Sequence, residues 1–143
     1  MSDLTGYLEG QIADWIANGN TFDAAPGTLY ISLHTADEGN NPDGTNEVSA
    51  ADYSRASATS SDLTVLSGDG PTTLENSNEI SFGDPTNNWG TITHVGLWDG
   101  SSDTDNPIAF YALDSSKEVL ADVDKVSFQI GRASCRERVY TKV

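Results

Sequence analysis

The sequence predicts a mainly β fold, an antiparallel β-sandwich with one N-terminal α-helix. Two observations carry that expectation. Short alternating segments rich in Val, Ile, Thr and aromatics recur along the chain, each bounded by Gly, Pro, Asn, Asp and Ser clusters. Only one stretch, near the start, shows helical periodicity.

The helix is expected over about residues 3–18. Leu4, Leu8, Ile12, Trp15 and Ile16 recur at helical spacing, Ser2 or Asp3 can cap the start, and Gly19-Asn20 supplies a stop. Gly6 and Gly10 weaken its intrinsic stability, so the apolar stripe must pack, either on the sheet or on other copies of itself, core packing being the commoner outcome. From Thr28 to Thr35 the pattern alternates, with Leu29, Ile31 and Leu33 inward and Tyr30, Ser32 and His34 opposite. Residues 36–47 are too rich in Asp, Glu, Gly, Asn and Pro for anything but an exposed loop. Further strands are expected at 53–59, 63–66, 79–83, 108–113 and 117–120, with a last one starting at Lys125.

The clearest strand runs from Trp89 to Trp98. Its β-branched Thr91, Ile92, Thr93 and Val95 lie between two turn-rich loops. Period two places Thr91, Thr93, Val95 and Leu97 on one face and Ile92, His94 and Trp98 on the other, as in a central strand covered on both sides. The expected core set is therefore Leu29, Ile31, Leu33, Trp89, Ile92, Val95, Leu97 and Trp98.

The 143 residues suit one domain. The 22 acids stand against 7 bases, a net charge of −15, which makes nucleic acid a poor partner. Such acidity points to a halophilic source, where molar salt shrinks the Debye length to about 3 Å. No apolar run is long enough for a membrane span, and no charged-then-apolar leader opens the chain, so neither membrane insertion nor a signal peptide is expected.

Catalytic chemistry is sparse. The histidines, His34 and His94, have no His-x-x-x-His or paired cysteine spacing for zinc, and no Gly-x-Ser-x-Gly elbow marks a nucleophile. Gly68-Asp69-Gly70-Pro71 puts an acid where a phosphate would be repelled. The acidic loops, with Asp37, Asn41, Asp43 and Glu47, or Asp99, Asp103 and Asp105, do not keep calcium-loop spacing and read as solvated. No catalytic, metal or cofactor site is expected, and both histidines read as structural. Tyr30 and Tyr53, with Trp89 and Trp98, could form a sugar-stacking platform, so a carbohydrate-binding module on a virion or cell surface is the alternative.

Residues 129–143 break the composition. Four of the seven bases and the one cysteine lie from Arg132 onward. The run Ile130 to Val139 corresponds to the translation of a common short-read sequencing adapter, so residues 1–128 are expected to form the single domain and 129–143 an adapter-derived artefact.

The order of segments carries a resemblance. Leu29-Tyr30-Ile31-Ser32-Leu33-His34-Thr35-Ala36-Asp37 follows the helix, then come Asn46-Glu47-Val48-Ser49 and Tyr53-Ser54-Arg55. Ile80-Ser81-Phe82 and the run from Trp89 to Asp99 follow. This pattern resembles the small tail-fibre-like virion structural proteins of tailed phages and haloarchaeal tailed viruses. The resemblance implies a non-enzymatic appendage or decoration component of the virion, assembled in the host cytoplasm. It also implies contacts to other virion proteins and a homo-oligomer. The closing strand of that pattern is missing here, which would leave a sheet edge unpaired.

Overall fold

A computed structural model of the chain describes residues 4–22, 26–66, 68–69, 73–123, 125–130 and 137–142. Its elements are one helix, α1 (Gly6–Asn18), and nine strands. Four strands form the main antiparallel sheet: β1 (Thr28–His34), β2 (Ala56–Thr59), β6 (Gly90–Trp98) and β7 (Pro107–Val119), in the order β2-β1-β6-β7. A hairpin joins β3 (Leu63–Leu66) to β4 (Thr73–Asn76). The third sheet orders β5 (Ile80–Ser81), β8 (Lys125–Ile130) and β9 (Glu137–Lys142) as β5-β8-β9. The fold is mainly β, antiparallel and sandwich-like, with one helix.

Strand β6 lies inside the main sheet. It pairs with β1 from Tyr30↔Trp98 to His34↔His94, and with β7 along its other edge. Ile31, Leu33, Val95, Leu97 and Ala109 join Ile80 and Val126 of the third sheet and the neighbouring Phe82 in one apolar core. Ile92 and Trp89 are buried in the same cluster and Leu29 packs against its margin. Trp98 is fully buried but sits outside that cluster, among polar groups.

Several elements differ from the sequence expectation. Segments 108–113 and 117–120 are one strand, not two. Between His94↔Ala112 and Ile92↔Lys117, two steps along β6 face five along β7, so Asp114-Ser115-Ser116 is a bulge inside a continuous strand. Strand β4 carries a single apolar residue, Leu74, and so escaped an alternation test. Strand β2 begins at Ala56 and β5 holds only Ile80 and Ser81, although the Phe82 amide still bonds the Val126 carbonyl of β8. Strand β8 extends to Ile130 and pairs with β5 on one edge and β9 on the other, so β9 occupies the edge expected to be open.

The helix departs most. Ser2 and Asp3 lie outside the described residues. Thr5 is the N-cap, yet its side chain makes no capping bond. Its hydroxyl instead donates to the carbonyls of Pro107 and Ile108, and its amide bonds Ile108 as well. Gly6 donates its amide to Asn40, and a Cβ there would meet the Asn41 side chain at 2.4 Å, so glycine permits the close approach. Gly19 closes the helix in a left-handed conformation, φ 66°, its amide reaching Trp15. No residue of α1 is buried, and the stripe expected to pack on the core leaves Trp15 and Ile16 exposed.

Two substitutions read this division of labour. Ile92→Ala should destabilise the chain by about 2–5 kcal/mol in denaturant unfolding, as for a fully buried aliphatic. Ile16→Ala should stay within about 0.5 kcal/mol of wild type.

Candidate functional site

The chemistry-bearing residues gather on the polar-sided face of the main sheet. Alternation puts Ser32 and His34 of β1 on one face, and register places Gly96 beside Ser32 and His94 beside His34. His34 is fully buried. Its Nε2 lies 2.6 Å from the Ser32 hydroxyl, and its Nδ1 lies 2.7 Å from Oε1 of Glu38. Trp98 Nε1 donates to the same Ser32 oxygen at 2.6 Å. The donors assign themselves in a line: the indole N–H to Ser32, the Ser32 hydroxyl to His34 Nε2, and Nδ1–H to Glu38. Gly96 makes room for this string, since a Cβ there would meet Ser32 Oγ at 2.5 Å and Trp98 Nε1 at 2.7 Å.

Glu38 belongs to the segment expected to be a solvated loop, yet its side chain is almost wholly buried. One carboxylate accepts the amides of Asp43, Gly44 and Asn46 at 2.7–2.9 Å in addition to His34. The loop is thus wrapped around a single acid. Beside it, Arg55 spans two loops. Its guanidinium binds Glu47 through Nε and Nη2, Asp103 at 2.8 Å, and the carbonyls of Gly100 and Ser102, and it lies 4.0 Å above the Trp98 ring. Tyr53 donates to Glu47 and accepts the Leu33 amide. Gly44 completes the closure, because a Cβ there would meet the Asp103 carboxylate at 2.8 Å.

These environments set the protonation states. Burial holds His34 below its ordinary 6.5, against the opposing pull of the Glu38 hydrogen bond and charge, which keeps the ring neutral. Burial pushes the Glu38 carboxyl up. The Asn46 amide, His34 and the Gly44 amide outweigh it and leave the group below the ordinary carboxylate range. Burial, then the Glu47 charge, raises the Tyr53 phenol far above its usual range, so it remains a donor. Next to Tyr53, Asp52 clamps the turn before β6. Burial raises its carboxyl, but the amides of Thr86 and Asn87, the Asn87 side chain and the Trp89 indole hold it well below the ordinary value.

The order Ser32, His34, Glu38 is that of a hydrolase triad, but nothing opens it to a substrate. Ser32 and His34 have no exposed surface, and the serine oxygen is already bonded to the indole. The arrangement can store a neutral imidazole and anchor a loop. His94 is half-buried, stacked on Phe110 with its Nδ1 at 2.8 Å from Thr93, and 4.0 Å from Asp37. Among the described residues no group of three His, Cys, Asp or Glu could hold a metal ion.

The rings considered for sugar stacking are placed otherwise. Trp89 and Trp98 are buried, and Tyr53 packs on Phe82 and Trp89 with its hydroxyl committed. Tyr30 is half-buried. Tyr53 is a half-buried residue packed against the edge of the core. Sequence reasoning missed Ser32, Glu38, Glu47 and Arg55. The available signals were Ser-x-His on one strand face, an acid four residues after that histidine, and an arginine that is the one Lys or Arg before residue 117.

The family model described as Podophage GP4 fiber I protein gp80 matches residues 3–136. The chain belongs to that family. It is a phage tail-fibre-like protein, and the family places it in the virion among other virion proteins, as a structural component. No curated protein matches the chain. No described helix is long and apolar enough to cross a membrane. A structural role agrees with a polar site sealed on every side.

Acid should loosen this site. The unfolded chain takes up a proton at His34 as pH falls through 6.5, and the folded chain resists it, so stability falls below that point. The share of Glu38 is present above its unfolded value and is lost at lower pH still, as its depressed folded pKa is passed. The melting temperature should therefore drop from about pH 7 to about pH 5, and His34→Gln should flatten that window. Ser32 should stay unlabelled by a serine-reactive fluorophosphonate, and labelling would mean that the triad opens.

Proposed function

We propose that this protein is a non-enzymatic component of a tail fibre or related virion appendage of a tailed virus. In this reading it assembles as a homo-oligomer and meets neighbouring virion proteins through its outer surfaces. The family match across residues 3–136 carries the reading. The buried Ser32–His34–Glu38 string supports it, because the chain's best constellation of reactive groups is committed to holding loops. Mass spectrometry of purified particles from the source virus should find the protein at structural copy number. Its absence from particles whose other fibre proteins are detected would sink the reading.

The acidic surface supports a halophilic source. Its check is a melting temperature that rises with KCl well beyond the concentration at which ordinary screening saturates. The ten-residue adapter correspondence from Ile130 to Val139 supports reading 129–143 as adapter-derived, although the family match runs to residue 136 and β9 pairs with β8. Resequencing the locus would give a different reading frame after Phe128 if that reading holds.

A further inference from the structure

Of all the asparagines in the chain, Asn18 alone precedes a glycine. An asparagine side chain is an acyl donor toward the backbone nitrogen that follows it, and a Cβ on the next residue crowds that approach. Asn41 and Asn106 precede prolines, whose nitrogen carries no proton to lose, and the other asparagines precede residues with a Cβ.

The fold puts this dipeptide where the chain opens most readily. Asn18 is the last residue of α1 and Gly19 its cap, and both are exposed. Two bonds close the turn: the Gly19 amide donates to the Trp15 carbonyl at 3.2 Å, and Asn18 Nδ2 donates to Asp14 Oδ1 at 2.7 Å. No residue of α1 is buried, and the Trp15–Phe22 ring contact beside the turn joins two exposed side chains. An end turn held by surface bonds opens locally without unfolding the sheet. Opening frees both reactants, the Gly19 nitrogen and Asn18 Cγ. Two Asp-Gly pairs that could cyclise in the same way are tied down. Gly44 donates its amide to the buried Glu38 carboxylate at 2.8 Å, and both Asp99 oxygens accept from Asn106. A carboxylate is also a poorer acyl donor than a carboxamide.

We propose that Asn18-Gly19 is a self-modification site, at which the chain deamidates in water and so opens the end of its own helix. The Gly19 nitrogen, having shed its proton, attacks Asn18 Cγ. A succinimide N–Cγ bond forms, the carboxamide C–N bond breaks, and the proton leaves on the ammonia expelled. Water then opens the ring at either carbonyl, giving aspartate or, with the backbone rerouted through the side chain, isoaspartate.

Either product makes a worse helix end. The donor to Asp14 is gone, and a new carboxylate stands one turn from it at the end of the helix where negative charge is disfavoured. No base lies in that last turn to offset it. Isoaspartate also adds a backbone carbon ahead of Gly19, so the left-handed closure onto Trp15 no longer fits the register. Opening permits the reaction and the reaction holds the end open.

The test is ageing of the full chain at neutral and mildly alkaline pH, followed by peptide mapping and methylation by an isoaspartyl methyltransferase. Asn18 should lose its amide at least about tenfold faster than any other asparagine, and faster still in alkali, because the attacking nitrogen must shed its proton. Asn18→Gln, at an exposed site, should abolish the early release of ammonia. Backbone NMR shifts of residues 15–17 should move toward random coil in the aged wild type and in fresh Asn18→Asp, and stay helical in aged Asn18→Gln. Earlier deamidation at another asparagine would overturn the proposal. So would an aged chain modified at position 18 whose residues 15–17 remain as helical as before. None of these outcomes alters whether the protein is found in particles.

Discussion

The polar face of the main sheet depends on one buried carboxylate. Glu38 lies four residues after the end of β1, in a segment with no helix or strand before β2, and would be an unremarkable loop acid if exposed. Instead it takes three backbone amides and the His34 ring, which converts a segment of Asp, Gly, Asn and Pro into a defined cover for β1 and β6. An acid in that position must be satisfied on nearly every lone pair, because burial of an unpaired carboxylate is costly. The same constraint explains the neighbouring residues. Ser32 fills the far nitrogen of His34, Trp98 fills the serine oxygen, and Gly96 leaves the space in which they meet.

Arg55 extends the arrangement to a second loop. With Glu47, Asp103 and two carbonyls around it and the Trp98 ring beneath, it ties residues 99–103 to the loop that Glu38 organises. In a chain of 22 acids and 7 bases, the one base before residue 117 is committed inside the protein, so that stretch presents acids without lysine or arginine beside them. These tied loops cover a sheet whose other face is an ordinary apolar core.

Much of the apolar architecture was legible from alternation alone. Ile31, Leu33, Val95 and Leu97 are buried where period two puts them, and β6 lies between two neighbours. The bulge in β7 was not legible, because Asp114-Ser115-Ser116 has the composition of a turn whether or not the strand continues. The helix misled for a related reason: periodicity reports that a stripe exists, not what covers it, and here the described chain leaves Trp15 and Ile16 uncovered. The polar site was the hardest to see. Ser32, His34 and Glu38 are close in sequence, but Glu38 lies in a segment whose composition says solvent, and only the fold brings Trp98 and Arg55 to them. His34 and His94 illustrate the limit. Both sit on one sheet face, yet one is sealed in a hydrogen-bonded string and the other stacks half-open on Phe110.

The most direct test is the protonation state of the buried ring, read by nitrogen–proton correlation NMR of the histidine side chains. A neutral His34 with its proton on Nδ1 at about pH 7, titrating below its ordinary 6.5, is the result the buried string requires. A ring that averages between tautomers and titrates with an ordinary pKa would contradict it.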